Sequence, residues 1–305
     1  MKRIKGLMSI LLAIVAVCVF AKDAEAKDEL YVTDWIVEAE IMENGDLKIT
    51  EDITYEFNNK FNGVYRDIIL NKVSGIADIS VQELSDGKAS LFTAVDKAKN
   101  GDSGIYTIEE SKEKVLIKIF SPSQNETKTF RISYIAKNVA VKYNDTAELY
   151  YQFLGNTNET AIGRMLINIY LPDGASYENV HVFAHGPLHG KIIKADDRHY
   201  QLKVDDVPAK TFIEGRVLFP VQLIALSDNI VEEDRYLSIL EEEETFQSKL
   251  EKNRARKETV HKVLNIINPI AVAIGALALI YAAGKCKRNA FQNPNQLVFD
   301  WEKDC

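Results

Sequence analysis

Apolar and polar positions alternate with a period of two along the first two thirds of the chain. Trp35, Val37, Ala39 and Ile41 alternate with Asp34, Glu38 and Glu40. Leu47, Ile49, Ile53, Tyr55 and Phe57 alternate with Lys48, Thr50, Asp52, Thr54 and Glu56. Asn44-Gly45 lies between the two runs and is a strong short-hairpin signal. The pair predicts a β-hairpin with one buried face, although Glu51 falls on the apolar side and leaves the register imperfect there. The same grammar recurs at Val115–Phe120, Phe130–Tyr134, Leu149–Phe153, Met165–Leu171, Tyr200–Val204 and Phe212–Leu218. Pro172-Asp173-Gly174 closes one of these runs as a turn. Asp86 to Lys112 is polar and rich in Gly, Ser and Lys, which predicts a long loop or weak edge strands. Many short strands without helical periodicity predict a mainly β fold, an antiparallel β-sandwich over residues 27–222.

The pattern changes after Pro220. Ser227-Asp228 can cap a helix, and Tyr236, Leu237, Ile239, Leu240, Phe246 and Leu250 recur at helical spacing. An acidic block at Glu241–Glu244 precedes a basic stretch, an order that suits the helix dipole. Residues 223–262 therefore read as a long charged juxtamembrane helix or stalk. Val263 to Ala283 holds no charged residue. At about 1.5 Å per residue it reaches roughly 30 Å, the thickness of a bilayer core, so residues 263–284 are expected to form one transmembrane helix. Asn265, Asn268 and Pro269 interrupt its first third, and Ala271 and Gly275 make one small-xxx-small step. Lys285, Lys287 and Arg288 form the stop-transfer flank, and residues 285–305 a short cytoplasmic tail.

The N-terminus reads as an export signal. Lys2, Arg3 and Lys5 precede an apolar run from Gly6 to Phe20, and Ala24-Glu25-Ala26 offers small-x-small cleavage after Ala26, so residues 1–26 are the signal peptide. Val17 before Cys18 is not the small residue a lipoprotein signal requires, and Cys18 leaves with the signal. The signal places the middle of the chain outside the membrane. The positive-inside tendency opposes this, because Lys249, Lys252, Arg254, Arg256, Lys257 and Lys262 stand just before the span. The signal acts first, and a long domain translocates largely regardless of its charge.

Composition narrows the classes. With 305 residues, 46% of them hydrophobic and 27% charged, the chain can bury a sizeable core and is neither disordered nor a multi-span transporter. Its net charge of −8 argues against a nucleic-acid partner. Of the 3 Cys, only Cys286 and Cys305 survive signal cleavage, so no disulfide holds the exported domain. Three sequons, at Asn125, Asn144 and Asn158, match a motif that is common by chance.

Two places invite chemistry. His181, His185 and His189 have metal-ligand spacing for a helix, but Gly186-Pro187 breaks one between the second and third. On a strand His181 and His185 stand about 13 Å apart, too far for one ion, so strand and turn roles are favoured over a metal site. Phe61-Asn62-Gly63-Val64-Tyr65-Arg66-Asp67-Ile68 is the ligand-binding candidate, with Tyr65, Arg66 and Asp67 as its residues. Asn62-Gly63 reads as a turn. Arg66 and Asp67 point to opposite faces of a strand, and Arg66 either grips an anionic ligand or, more often for such a residue, satisfies a structural carboxylate. No nucleophile elbow, zinc-protease motif, P-loop or dinucleotide fingerprint is present in the sequence, which points to no cofactor and to a protein that is not an enzyme.

The segment at 61–68, together with Glu148–Gly155, Met165–Pro172 and Thr211–Pro220, resembles in order the bacterial predicted-membrane-protein family built on domain of unknown function 2207 (the YciQ-like proteins). The resemblance covers about residues 28–290. It implies a signal peptide, an extracytoplasmic β-rich domain and a membrane anchor, with no established activity. Family members typically continue into further spans and a low-complexity tail, so this chain reads as a short or truncated form.

The leading expectation is a single-pass cell-membrane protein whose ectodomain is a binding or structural module of the bacterial envelope. Its expected partners are the membrane, other envelope proteins and cell-wall polymer. An envelope hydrolase with a carboxylate pair is the alternative from a different class, and a non-functional remnant of a longer membrane protein is the third.

Overall fold

The structure is a computed structural model that describes residues 29–292. The signal segment with Ala26 and Cys18, and the last residues with Cys305, lie outside the described residues. The chain divides into two units at Tyr236/Leu237.

The first unit is a two-layer β-structure. Its large sheet contains β1 (Leu30–Ile41), β2 (Leu47–Ile69), β3 (Ile76–Ser85), β4 (Lys88–Leu91), β5 (Thr93–Ala94), β6 (Ile105–Glu110), β7 (Lys114–Ala136), β10 (Ile162–Tyr170), β12 (Lys191–Lys194) and β13 (His199–Val207). The order is β12-β13-β10-β1-β2-β7-β3-β4, with β6 also on β7 and β5 on β6. The small sheet contains β8 (Ala140–Lys142), β9 (Ala147–Leu154), β11 (His181–His185) and β14 (Ile213–Phe219), in the order β11-β14-β9-β8.

The alternation read from the sequence becomes the core. Trp35, Val37 and Ala39 on β1, Ile49 and Ile53 on β2, and Ile132 and Tyr134 on β7 are all buried. Leu149, Tyr151 and Phe153 on β9 are buried too. Gly215 on β14 marks how closely the layers meet. A Cβ there would stand 3.0 Å from Phe153, 3.1 Å from Leu202 and 3.5 Å from Ile169, the last two belonging to the large sheet.

The sandwich is mixed rather than purely antiparallel. β1 pairs with β10 in parallel, Val32 opposite Ile162 through Glu40 opposite Tyr170. The short β5–β6 pair is parallel as well. The cause is topological. After β7 the chain crosses to the small sheet for β8 and β9, and on its return it finds the free edge of β1 running in the same direction.

The β1–β2 hairpin forms where Asn44-Gly45 predicts it. Gly45 N donates to Met42 O at 2.9 Å, and Met42 N donates to Asp46 O at 2.9 Å. Gly45 has φ +82°, the left-handed residue of a three-residue loop. A Cβ there would also meet Ser227 Oγ at 2.6 Å. Asn62-Gly63, expected as a turn, lies inside β2 instead. The register between β2 and β7 shifts between Phe57 and Lys60 and again between Phe61 and Gly63, while pairing continues to Ile69. Gly63 has φ +152°, and a Cβ would lie 1.8 Å from Ile119 O, so only glycine lets the strands approach here. The change of direction is a bulged bend in a paired ribbon, not a loop. The polar stretch after Asp86 contributes β4, β5 and β6, and Leu91 and Ile108 on them are exposed.

Ser227-Asp228 do not start the helix. Ser227 Oγ accepts from Asn229 N at 3.2 Å in a local turn. The helix begins at Tyr236, where the Asp145 carboxylate accepts from Arg235 N at 2.8 Å and Tyr236 N at 3.2 Å. That helix, α1 (Tyr236–Gln292), has 57 residues, belongs to the second unit from Leu237 on, and carries the long charged segment in its first half. Among the described residues no helix is long and apolar enough to cross a membrane. The side chains of 266, 268–274 and 282–283, within the expected span 263–284, lie outside those described.

Candidate functional site

Strand β2 bends so far that two of its own residues meet. Glu51 and Arg66 are 15 apart in sequence, about 50 Å along a straight strand. Yet Arg66 Nε donates to Glu51 Oε2 at 2.7 Å and Arg66 Nη2 to Glu51 Oε1 at 2.7 Å. Arg66 Nη2 also donates to the carbonyl of Phe153 on β9 at 3.0 Å, and Nη1 donates to the carbonyl of Asp67. The guanidinium lies over the Trp35 ring, 4.9 Å from its centroid. Tyr134 donates to Glu51 Oε1 at 2.6 Å, and the Tyr134 and Tyr151 hydroxyls are 3.3 Å apart. The Tyr134 proton is committed to Glu51, so Tyr151 donates to Tyr134. The apparent register fault at Glu51 is therefore the acceptor of a buried network that ties the bent ribbon to the small sheet.

Arg66 is 4% exposed and Glu51 1% exposed. Burial works against the charge on Arg66, but the field of Glu51 and its hydrogen bond more than reverse that, and the guanidinium holds its proton more tightly than a free arginine. Burial pushes the Tyr151 phenol up to about 12 and, with the Glu51 charge beside it, Tyr134 well above its usual range. Both tyrosines are thus fixed as neutral donors at neutral pH.

The three predicted ligand residues part company on this strand. Arg66 faces inward and is held by Glu51. Tyr65 and Asp67 face the other way. Tyr65 is 71% exposed, and Asp67 Oδ2 accepts from Lys114 Nζ at 2.8 Å. All three line a cleft of about 480 Å3 in the bend, together with Trp35, Lys114, Lys118 and the loop after β9. Two polar atoms of this cleft's lining are buried without a hydrogen-bond partner among the described residues: Trp35 Nε1 and Asp67 Oδ1. The sequence gives no hint of Trp35 as a lining residue, because its alternation marks it only as core. Glu51 did carry a signal, the one charged residue on the apolar face of its run.

The histidines occupy strand and turn. His181 and His185 begin and end β11. His181 Nε2 is 2.8 Å from the Tyr236 hydroxyl, and His185 Nδ1 is 3.8 Å from Glu214 Oε2. His189 lies beyond the strand, with Nε2 2.6 Å from Asp205 O. Among the described residues no group of three or more His, Cys, Asp or Glu could hold a metal ion. A second polar cluster covers the outer face of the small sheet. Arg216 Nε donates to Glu148 Oε1 at 2.5 Å, Tyr143 donates to Glu148 Oε2 at 3.1 Å, and Tyr150 donates to Glu214 Oε2 at 2.8 Å. Lys72 Nζ sits 4.6 Å from the Tyr150 ring centroid. Glu148, Tyr150, Glu214 and Arg216 come from two of the four segments that carry the family resemblance, and the structure brings those segments together as the adjacent strands β9 and β14.

Buried ion pairs thus pin the bent sheet and join the strands that carry the motifs. Residues 31–219 match the family described as predicted membrane protein (DUF2207), N-terminal domain. The chain belongs to that family. No curated protein matches it. Among solved structures it is similar to a candidate protease from Parabacteroides distasonis ATCC 8503, at 7% identity and a TM-score of 0.38, over 62% of this chain and 40% of that one. It is also similar to an M1 zinc metallopeptidase from Deinococcus radiodurans, at 10% identity and a TM-score of 0.34, over 64% of this chain and 43% of that one. The chain thus spans less than half the length of either, and likenesses this distant carry nothing about activity.

Proposed function

We propose that this protein is a single-pass membrane protein whose exported β-sandwich serves as a binding or structural module of the cell envelope, without catalytic activity. The observation that carries this reading is the set of bare apolar side chains on α1. Leu277, Leu279, Ile280 and Tyr281 are 63–72% exposed, a state that is costly in water and natural in lipid. The signal-like N-terminus supplies the orientation, and the family description supplies the membrane. The motif residues support a module rather than an enzyme, because Arg66 is bound to Glu51 and Arg216 to Glu148 within the fold.

Cysteine labelling tests the orientation. In the full chain, Cys286 and Cys305 should react with a membrane-impermeant maleimide only after cells are permeabilised, while the mature protein begins after Ala26 by mass. Labelling in intact cells would overturn the topology and the envelope partners with it.

A further inference from the structure

Resting on the membrane-anchored reading proposed above, we infer that the basic segment of α1 just before its uncharged stretch is a contact site for anionic phospholipid headgroups. Its hold on them is graded with distance from the membrane.

Between Lys249 and Lys262 the chain carries six cations and two carboxylates, Glu251 and Glu258. All of these residues are exposed. At 3.6 residues per turn the charges separate by face. Glu251 and Glu258 share one face with Arg254 and Lys262, which stand three or four residues from them. Lys249, Lys252 and Arg256 line the opposite face, with Lys257 to one side of it. No carboxylate stands three or four residues from any of these four, and none of the four makes an ion pair among the described residues.

Such a face is well solvated in water, so its position decides its partner. After Arg256 the same face continues through Val260, Val263 and Ile267, which are 51%, 47% and 52% exposed. A face that is cationic for two turns and apolar beyond them matches a membrane surface, with headgroup phosphates outside and acyl chains within. Topology does not account for the cations, because on the exported side they oppose the orientation that the signal imposes. At 1.5 Å per residue Lys257 and Arg256 stand about 9–11 Å along the helix from Val263, and Lys252 and Lys249 about 17–21 Å. The headgroup layer extends roughly 5–8 Å beyond the hydrocarbon. Arg256 and Lys257 reach it with their own side-chain length. Lys249 and Lys252 lie more than a Debye length of about 8 Å beyond it and feel a screened field. A zwitterionic headgroup carries its own cation and offers no net attraction, whereas an anionic one such as phosphatidylglycerol does.

The test uses the full chain in vesicles of phosphatidylcholine and phosphatidylglycerol. Cys18→Ser, Cys286→Ser and Cys305→Ser remove the native thiols, and Val260→Cys carries a single fluorophore on the cationic face. Quenching by phosphatidylglycerol with a doxyl group near its headgroup is compared with quenching by the same derivative of phosphatidylcholine. The first should exceed the second about threefold or more at low salt, and the ratio should fall towards one in about 0.5 M NaCl. Arg256→Gln with Lys257→Gln should at least halve the ratio, and Lys249→Gln with Lys252→Gln should lower it by clearly less. Unchanged quenching by phosphatidylcholine in both double variants checks that the helix is still inserted. A ratio of one in the parent, a ratio unmoved by Arg256→Gln with Lys257→Gln, or equal losses from the two double variants would each overturn the inference. Equal losses would mark instead a partner that reads the whole stretch, such as a polyanionic polymer. The two readings fail separately. Equal quenching by the two lipids removes the lipid preference and leaves the membrane anchor intact, whereas quenching by neither removes the anchor and the inference with it. Maleimide labelling of intact cells removes the orientation and leaves the quenching ratio as it is.

Discussion

Glu51 and Asp52 are neighbours on β2, and each accepts an arginine through both of its oxygens. Arg66 reaches Glu51 with Nε and Nη2 at 2.7 Å each, and Arg131 reaches Asp52 with the same two nitrogens at 2.7 and 2.6 Å. The hydrogen-bond geometry is nearly identical, but the surroundings are not. The first pair is 4% and 1% exposed, the second 40% and 26%. One residue of register places one carboxylate between the sheets and the next on the outer face. The same chemistry therefore does two jobs: it locks a bend in the first case and decorates a surface in the second. In water the Arg131–Asp52 attraction competes with solvation and salt. Inside, removing one partner strands the other's charge.

The largest effect should come from breaking the inner pair. Glu51→Ala should destabilise the strand unit by about 3–5 kcal/mol in urea unfolding, while Glu51→Leu combined with Arg66→Met should recover most of that loss. If the double variant is as damaged as the single one, the pair is doing more than compensating its own burial.

Asp46, at the hairpin loop, is the intermediate case and sharpens the contrast. It is 5% exposed, but its partner Lys137 is 42% exposed. Burial pushes the Asp46 carboxyl up, yet hydrogen bonds from Lys137, the Asn138 backbone and Asn44 outweigh it and hold the carboxyl below the ordinary aspartate value. A lowered folded value means stability that is present above the ordinary aspartate value and lost as pH falls through the folded one. Asp46→Asn should accordingly flatten the acid limb of a stability-against-pH curve and cost about 1–3 kcal/mol at neutral pH. An unchanged acid limb would show that other carboxylates set it.

The smallest effect belongs to the outer pair. Asp52→Ala should cost less than about 1 kcal/mol, and the loss should shrink further in high salt. A cost equal to that of Glu51→Ala would erase the distinction between the two faces.

Most of the strands were legible from alternation, because a half-buried sheet enforces period two residue by residue. The bend was not. Asn62-Gly63 carries a turn signature, and only the continued pairing of Val64 with Ile119 and Ile68 with Val115 shows that the chain bends without leaving the ladder. For Arg66 the sequence left a ligand and a structural carboxylate both open and did not show Glu51 as the partner, since Glu51 lies on the far side of a bend invisible to local pattern. The parallel β1–β10 contact was unreadable for a related reason: it depends on which edge stays free after the chain has visited the other sheet. Of the cleft, Tyr65 and Asp67 were legible as candidate ligand residues on a strand, whereas Trp35 was hidden by its own hydrophobicity.

That parallel contact sets a condition on when the molecule can become complete. Asp34 and Arg164 lie 130 residues apart yet face each other across β1 and β10. β1 is the first strand made, but one of its two edges stays open until β10, the tenth of the fourteen strands, has emerged. Loop-closure entropy over that distance must be met before the pairing returns anything. The β1–β2 hairpin thus spends its early life as an exposed template, and β10, made well after it, covers the open edge of the first strand. A chain halted before β10 would present an apolar, unpaired edge to any neighbour in the same state.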